Sequence, residues 1–373
     1  MSKLLLLCEF PTLAGGERSM LAILPHVRRA GFSVEVLAPP TGPLAEALCE
    51  QAVPVVPFGL AGPSGRRLPQ RRLRDQLREH LLAVRPDLLH ANSLAMARLA
   101  GPVTAETGVP GLGHLRDIVR LSRQAVTDLN RLDRLLAVSE ATRRFHLAGG
   151  VSAEKTFVAY NGVDVSRFAP RRRSGFLHAE LGLAPKARLV GAVGQISLRK
   201  GLDVIVEAAC RVVRRARDVH FVVAGQRWSE KPESRALEAE LCRMTEATVP
   251  GRFHWLGYRR DIPRLLGELA LLVHAARQEP LGRVLLEAAA CGVPIVATAV
   301  GGTPEIFPPE SGSARLVPPD DPARLADVIL ELLADPEGRC RMGAEARRQV
   351  EKRFTAHQAA RQLMEHYRQL LAG

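Results

Sequence analysis

Short apolar runs alternate with helical stretches along almost the whole chain, and this alternation limits the fold more than any other feature. The runs KLLLLCEF, SVEVLAP, VPVVPF and DLLHAN come first, and ARLVGAVGQ, VHFVVAG, RFHWLG, LALLVHA and PIVATA follow. Between the early ones, GERSMLAILPHVRRA and LRDQLREHLLAV carry apolar residues at helical spacing. Strands that are apolar on both faces belong in a parallel sheet wrapped by helices. The fold class is therefore α/β. A chain of 373 residues exceeds what one core normally organises, so two doubly wound, Rossmann-like domains are expected. The break falls in the polar stretch NGVDVSRFAPRRRSG, residues 161–175, giving domains 1–168 and 169–352. Ligands of such folds bind at the carboxyl ends of the strands. Residues 322–371 read as helical.

Composition removes several classes. The apolar fraction of 46% suits a globular core, and no apolar run approaches the ~20 residues that span a bilayer. The start, MSKLLLLCEF, is too short for a secretion signal and reads as a first strand. Six cysteines lie far apart with no C-x-x-C pair, which points to reduced thiols in a cytoplasmic protein and away from zinc. The net charge of +13 suits an anionic partner, whether lipid, nucleotide or nucleic acid, and charge does not choose among them. In residues 66–85, Arg66, Arg67, Arg71, Arg72, Arg74 and Arg78 accompany Leu73, Leu77 and Leu81 at helical spacing. That pattern fits a basic amphipathic helix resting on anionic lipid, and equally a helix packed on the sheet with a solvated face.

Three stretches carry candidate chemistry. In PTLAGGERSML, Gly15 and Gly16 sit where the first strand turns into a helix, whose first N–H groups suit an anion or simply an ordinary turn. The pattern is not G-x-G-x-x-G, so nicotinamide binding is unsupported. In VGQISLRKGLDVIVEAA, Lys200 precedes an amphipathic helix, as a phosphate partner or a solvated lysine. In EPLGRVLLEAAACGVPIVAT, Glu279 stands before the breakers Pro280 and Gly282, and Glu287 follows eight positions later on the helix. A diphosphate at the helix start would place one carboxylate on each side of it. Carboxylates repel phosphate, so their partners would be hydroxyls of a sugar and a ribose. The plain alternatives are a helix-capping acid for Glu279 and an i,i+4 pair with Arg283 for Glu287.

Together with GGERS, LLAVSEATRR, YNGVDVSRF, HWLGYRRDIPRLL and RLVPPDDPARLADVI, these stretches resemble the retaining GT-B glycosyltransferases of family 4, also called group 1, over nearly the whole chain. The family's E-x7-E motif reads here EPLGRVLLEAAACGVPIVATAVGGTPE. The resemblance implies two Rossmann-like domains facing a central cleft, an acceptor-binding N-terminal one and a donor-binding C-terminal one. A final helix, about residues 353–373, would cross back onto the first. It assigns Glu279 to the donor sugar's hydroxyls, Glu287 to the ribose and Lys200 to the phosphates. Gly15, Gly16, Gly282, Arg283 and Val284 would contact the diphosphate. His114, in GLGHLRDIV, falls at a family histidine position near sugar and acceptor, with a pKa range suited to proton handling and Asp117 placed to orient it. His90 reads as structural. One departure stands out: Gln195 occupies the place of a family arginine, and Arg199 is the substitute for its charge.

The reaction implied is transfer of a sugar from a UDP- or GDP-linked donor to a hydroxyl of a glycan, a lipid-linked or a small-molecule acceptor. It would proceed with retention, by same-face displacement. Helix N–H groups and Lys200 would stabilise the leaving diphosphate. No D-x-D sequence occurs, so no metal and no other cofactor is expected. The expected protein is cytoplasmic, with reversible peripheral contact to the inner face of the membrane and no nucleic-acid partner. A nucleotide-sugar 2-epimerase of the same fold and a non-catalytic nucleotide-sugar-binding protein are the competing readings.

Overall fold

The apolar runs lie in two parallel sheets. The structure is a computed structural model and describes residues 2–62 and 66–372. The chain divides into two units, one of Met1–Gly162 with Ala356–Gly373 and one of Val163–Thr355.

In the first unit, seven strands run β1 (Lys3–Leu7), β2 (Ser33–Ala38), β3 (Val55–Pro57), β4 (Leu88–Ala91), β5 (Gly111–Leu115), β6 (Arg134–Ala137) and β7 (Thr156–Val158). Their order across the sheet is β3-β2-β1-β4-β5-β6-β7. Side chains alternate between faces along a strand. Leu4 and Leu6 of β1 join a cluster with Met20, Leu24, Leu363 and Tyr367, whereas Leu5 and Leu7 join Leu73, Leu77, Met96 and Leu99 on the other side. Both faces of the sheet are thus covered. The closing helix Ala356–Ala372 belongs to this unit because Leu363, Met364 and Tyr367 lie in the same cluster as residues of the helix Gly15–Arg29.

In the second unit, six strands follow: β8 (Arg188–Val193), β9 (Val219–Ala224), β10 (Phe253–Gly257), β11 (Leu271–His274), β12 (Ile295–Thr298) and β13 (Arg315–Val317). They are ordered β10-β9-β8-β11-β12-β13. In each sheet the winding direction reverses beside the first strand, between β1 and β4 and between β8 and β11. The carboxyl ends of that strand pair are where doubly wound folds hold ligands.

Four strands escape the sequence reading: β5, β6, β7 and β13. Three of them have only three or four residues, and β5 contains two glycines. The helix Gln70–Val84 buries Leu73, Leu77 and Leu81. Those three leucines are core, and the helix's remaining leucine, Leu82, is exposed. Among the described residues no helix is long and apolar enough to cross a membrane.

Candidate functional site

The second sheet builds its site from three loops at the carboxyl ends of β8, β11 and β12. After β11, residues 275–282 lead into the helix Arg283–Ala290. Glu279 lies in this loop and is only 5% exposed. Its Oε2 accepts a hydrogen bond from His274 Nε2 at 2.8 Å and is paired with the Lys200 ammonium. Among the described residues its Oε1 takes no hydrogen bond. Burial alone would raise the Glu279 carboxyl. The Lys200 charge and the His274 hydrogen bond outweigh it and hold the group well below the usual carboxylate range. Burial, assisted by the charges of Lys200 and Arg199, lowers the His274 pKa despite Glu279. The group therefore comprises an ammonium, a carboxylate and a neutral imidazole.

Backbone contacts fix these loops together. Lys200 ends a 3-10 turn, Leu198–Lys200, and Gly201 follows with φ of 62°. A Cβ at Gly201 would sit 1.9 Å from the Ala275 carbonyl oxygen. Similarly, a Cβ at Gly301 would meet the Glu279 carbonyl oxygen at 1.9 Å, and Gly302 N–H donates to that oxygen at 3.0 Å. Arg277 completes the clamp. Its N–H donates to Arg199 O at 2.9 Å and its guanidinium to Leu198 O at 2.7 Å. The same guanidinium grips both oxygens of Asp203, at 2.9 and 2.6 Å, and Asp320 at 2.6 Å. The carbonyls that Arg277 holds belong to the two residues before Lys200.

Gly282 opens the helix that follows Glu279. Its carbonyl is the first acceptor, reached by Leu285 N–H at 3.0 Å and Leu286 N–H at 3.2 Å. The amides of Gly282, Arg283 and Val284 therefore precede the helical ladder, as an anion site requires. One turn on, Glu287 is buried and its Oε1 lies 2.8 Å from Arg283 Nε, so the i,i+4 pair is present. Gln195 and Arg199 are half-buried on the β8 loop, and neither side chain has a hydrogen bond within the described residues.

The first sheet gathers a different set. Gly15 and Gly16 begin the helix Gly15–Arg29, and a Cβ on Gly16 would lie 3.1 Å from Arg116 Cδ. Arg116 donates to Asn92 O at 2.7 Å, Asn92 Oδ1 at 2.8 Å and Asn161 Oδ1 at 2.7 Å. It also lies 3.3 Å from His114 Nδ1. His114 is buried at the end of β5, and its Nδ1 lies 2.6 Å from His90 Nε2. Asp117 does not orient His114: its carbonyl oxygen instead meets His146 Nε2 at 2.8 Å. Burial, then Arg116 and His90, push the His114 pKa well below its ordinary value. The imidazole is thus neutral, not poised to titrate near pH 7. Ser139 caps the helix Glu140–Ala148 through Thr142 N–H at 3.0 Å.

Residues 13–167 match the family described as Glycosyltransferase Family 4, and residues 174–349 match Glycosyl transferases group 1. This chain belongs to the family 4 GT-B glycosyltransferases. The glycosyltransferase is 28% identical over 360 residues to the GDP-mannose-dependent alpha-mannosyltransferase of Mycobacterium tuberculosis (strain CDC 1551 / Oshkosh), a match covering 91% of this chain and 89% of that one. It is 32% identical over 254 residues to a GDP-mannose-dependent monoacylated alpha-(1-6)-phosphatidylinositol monomannoside mannosyltransferase of Corynebacterium glutamicum, covering 63% of this chain and 62% of that one. Among solved structures it is similar to Anabaena Alr3699/HepE in complex with UDP and glucose, with a TM-score of 0.86, 26% identity and coverage of 98% and 99%.

Several parts of this glycosyltransferase's site lay outside the sequence reading. His274, Arg277 and Gly301 join Glu279 and Lys200, and Arg116 lies beside Gly16. Arg277 stands two positions before Glu279, just ahead of the motif stretch, and that proximity was the available signal.

Proposed function

We propose that the protein transfers a sugar from a UDP- or GDP-linked donor to an acceptor hydroxyl, with retention at the anomeric carbon and without a metal. The observation that carries this reading is the division of labour at Glu279. Oε2 is engaged by Lys200 and His274, while Oε1 remains able to accept from a sugar hydroxyl. A lysine ammonium has three donors, and one is on Glu279, so two remain for phosphate oxygens. Lys200 and the amides of Gly282, Arg283 and Val284 would stabilise charge on the departing diphosphate. Arg199 would add the charge that Gln195 lacks. Glu287 is assigned to the ribose, a role compatible with its Arg283 pair because a carboxylate accepts several hydrogen bonds. Gly15 and Gly16 are assigned to the diphosphate, and His114 to a hydroxyl of sugar or acceptor.

Retention fits a same-face displacement, in which the leaving phosphate oxygen takes the acceptor proton. The absence of a D-x-D sequence motivates the metal-free reading. The relatives' GDP-mannose dependence and the UDP and glucose of the Anabaena complex support a nucleoside-diphosphate hexose as donor. A panel of UDP- and GDP-sugars, incubated with protein and chelator, tests the reading by diphosphate release and by NMR of the product anomer. An inverted product contradicts retention, and turnover that EDTA abolishes and magnesium restores contradicts metal independence.

The acceptor is proposed to belong to envelope glycan or glycolipid synthesis, with the protein working in the cytoplasm against the inner face of the membrane. Peripheral contact would be electrostatic. Leu73, Leu77 and Leu81 are core, Arg74 and Arg78 are paired with Asp128 and with Asp75 and Glu106, and Arg67 with Glu9. Arg66, Arg71 and Arg72 are exposed and supply the charge.

A further inference from the structure

His114 is the end of a buried chain that starts on the closing helix. Tyr367 OH lies 2.6 Å from His90 Nδ1, and His90 Nε2 lies 2.6 Å from His114 Nδ1. Arg116, at 3.3 Å, also faces His114 Nδ1. The three rings are in contact, with centroids 5.7 and 4.8 Å apart. All three side chains are buried.

The direction of every proton in this chain follows from one fixed donor. A guanidinium can only donate. A proton on His114 Nδ1 would face the Arg116 N–H, so Nδ1 is an acceptor. His90 Nε2 must then carry the proton that fills the contact with Nδ1, since two bare nitrogens at that separation would repel. With its proton on Nε2, neutral His90 accepts at Nδ1, and Tyr367 O–H donates there. His114, neutral as well, carries its own proton on Nε2, which has no hydrogen-bond partner among the described residues. Charging either ring is opposed. Burial and then the Arg116 charge take His90 down to about 3, and the charged or titratable groups facing His114 are Arg116, His90 and His366.

We propose that Arg116, His90 and Tyr367 are positioning residues that together lock His114 as its Nε2–H tautomer, so that it meets a substrate hydroxyl only as a hydrogen-bond donor. The functional half of this statement rests on the reading of His114 as a substrate-facing residue. The tautomer half stands on the hydrogen-bond geometry and on the neutrality of the two buried rings. A donor at this position excludes His114 as the base that deprotonates the acceptor, and leaves that proton to the departing phosphate.

Full-length protein labelled with 15N-histidine tests both halves. Long-range 1H–15N spectra at neutral pH, assigned with His90→Gln and His114→Gln, should show His114 and His90 protonated at Nε2. Protonation of His114 at Nδ1 overturns the proposal. Tyr367→Phe keeps the ring in the core and removes only the hydroxyl. It should let the His90 tautomers mix and lower kcat by about tenfold, with the donor KM held within about twofold. A merely structural tyrosine would lower the melting temperature and leave kcat and the tautomers alone, and that result also overturns the proposal. The spectra need no sugar donor, so a protein that shows the Nε2–H form yet moves no sugar contradicts the transfer reading and leaves the positioning intact.

Discussion

Lys200 and His274 converge on one oxygen of Glu279, Oε2, although Lys200 and Glu279 are 79 positions apart in the chain. The carboxylate is thereby kept charged in a buried place, with its other oxygen turned over to a ligand. Lys200 in turn is not a loose surface cation, because Gly201 and Arg277 fix the turn that carries it.

Lys200→Ala should weaken binding of the free nucleoside diphosphate by roughly 1.5–3 kcal/mol, the usual worth of a charged hydrogen bond, and Gln195→Ala by less. Calorimetric titration ranks the two. If Gln195→Ala is the more damaging, the phosphate contact belongs to the glutamine.

The acid sensitivity of stability should be smaller in the Lys200→Ala protein than in the wild type. In the wild type the Glu279 carboxyl lies well below its unfolded value. Such a group contributes stability above the unfolded pKa and loses it as pH falls through the folded one. Without Lys200, burial is less opposed and the folded pKa rises toward the unfolded one. The variant should therefore be less stable at neutral pH and lose less stability as pH falls, giving a flatter acid limb than the wild type. Melting temperature against pH, from neutral down to about pH 3, follows it. Superimposable acid limbs would show that Lys200 is not what holds the carboxylate charged.

Arg277 touches no proposed substrate atom, yet it should matter for binding. Arg277→Lys keeps a charge but loses the two-oxygen grip on Asp203 and the reach to Leu198 O. The variant should fold, lose about 1–2 kcal/mol of stability and bind diphosphate several-fold more weakly. Unaltered diphosphate affinity would mean that the turn holds Lys200 by itself.

The helix Gln70–Val84 should separate cleanly into core and surface. Leu77 is fully buried, so Leu77→Ala should cost about 2–5 kcal/mol by urea unfolding. Arg71→Glu with Arg72→Glu should leave stability within about 0.5 kcal/mol. The same pair should reduce co-sedimentation with anionic vesicles at low salt. Binding that ignores both salt and these charges would remove the electrostatic contact.

Much of the fold was legible because both sheets are parallel and buried, which turns their longer strands into unbroken apolar runs such as KLLLLCEF and VHFVVAG. β5 was not, since its glycines suit neighbours rather than strand propensity. A Cβ at Gly111 or Gly113 would come within 2.7 Å of Leu132. Glu279, Glu287 and Lys200 were legible through a motif. Their partners were not. His274 ends a strand that reads as core, and Arg277 is one of many arginines until its carbonyl contacts are seen. His90 reads as structural because its partner Tyr367 lies 277 positions away.

The transfer reading stands or falls on whether Glu279 acts on the donor sugar. The rate of sugar transfer by Glu279→Ala and Glu279→Gln decides it, measured on folded protein with the donor selected from the UDP- and GDP-sugar panel. Both variants should retain diphosphate affinity within a few-fold, because Lys200 and the helix amides remain. Both should lose at least ~10- to 150-fold in kcat/KM, the equivalent of a charged hydrogen bond made in the transition state. Near wild-type transfer by a well-folded Glu279→Ala protein would show instead that this carboxylate has no part in the reaction.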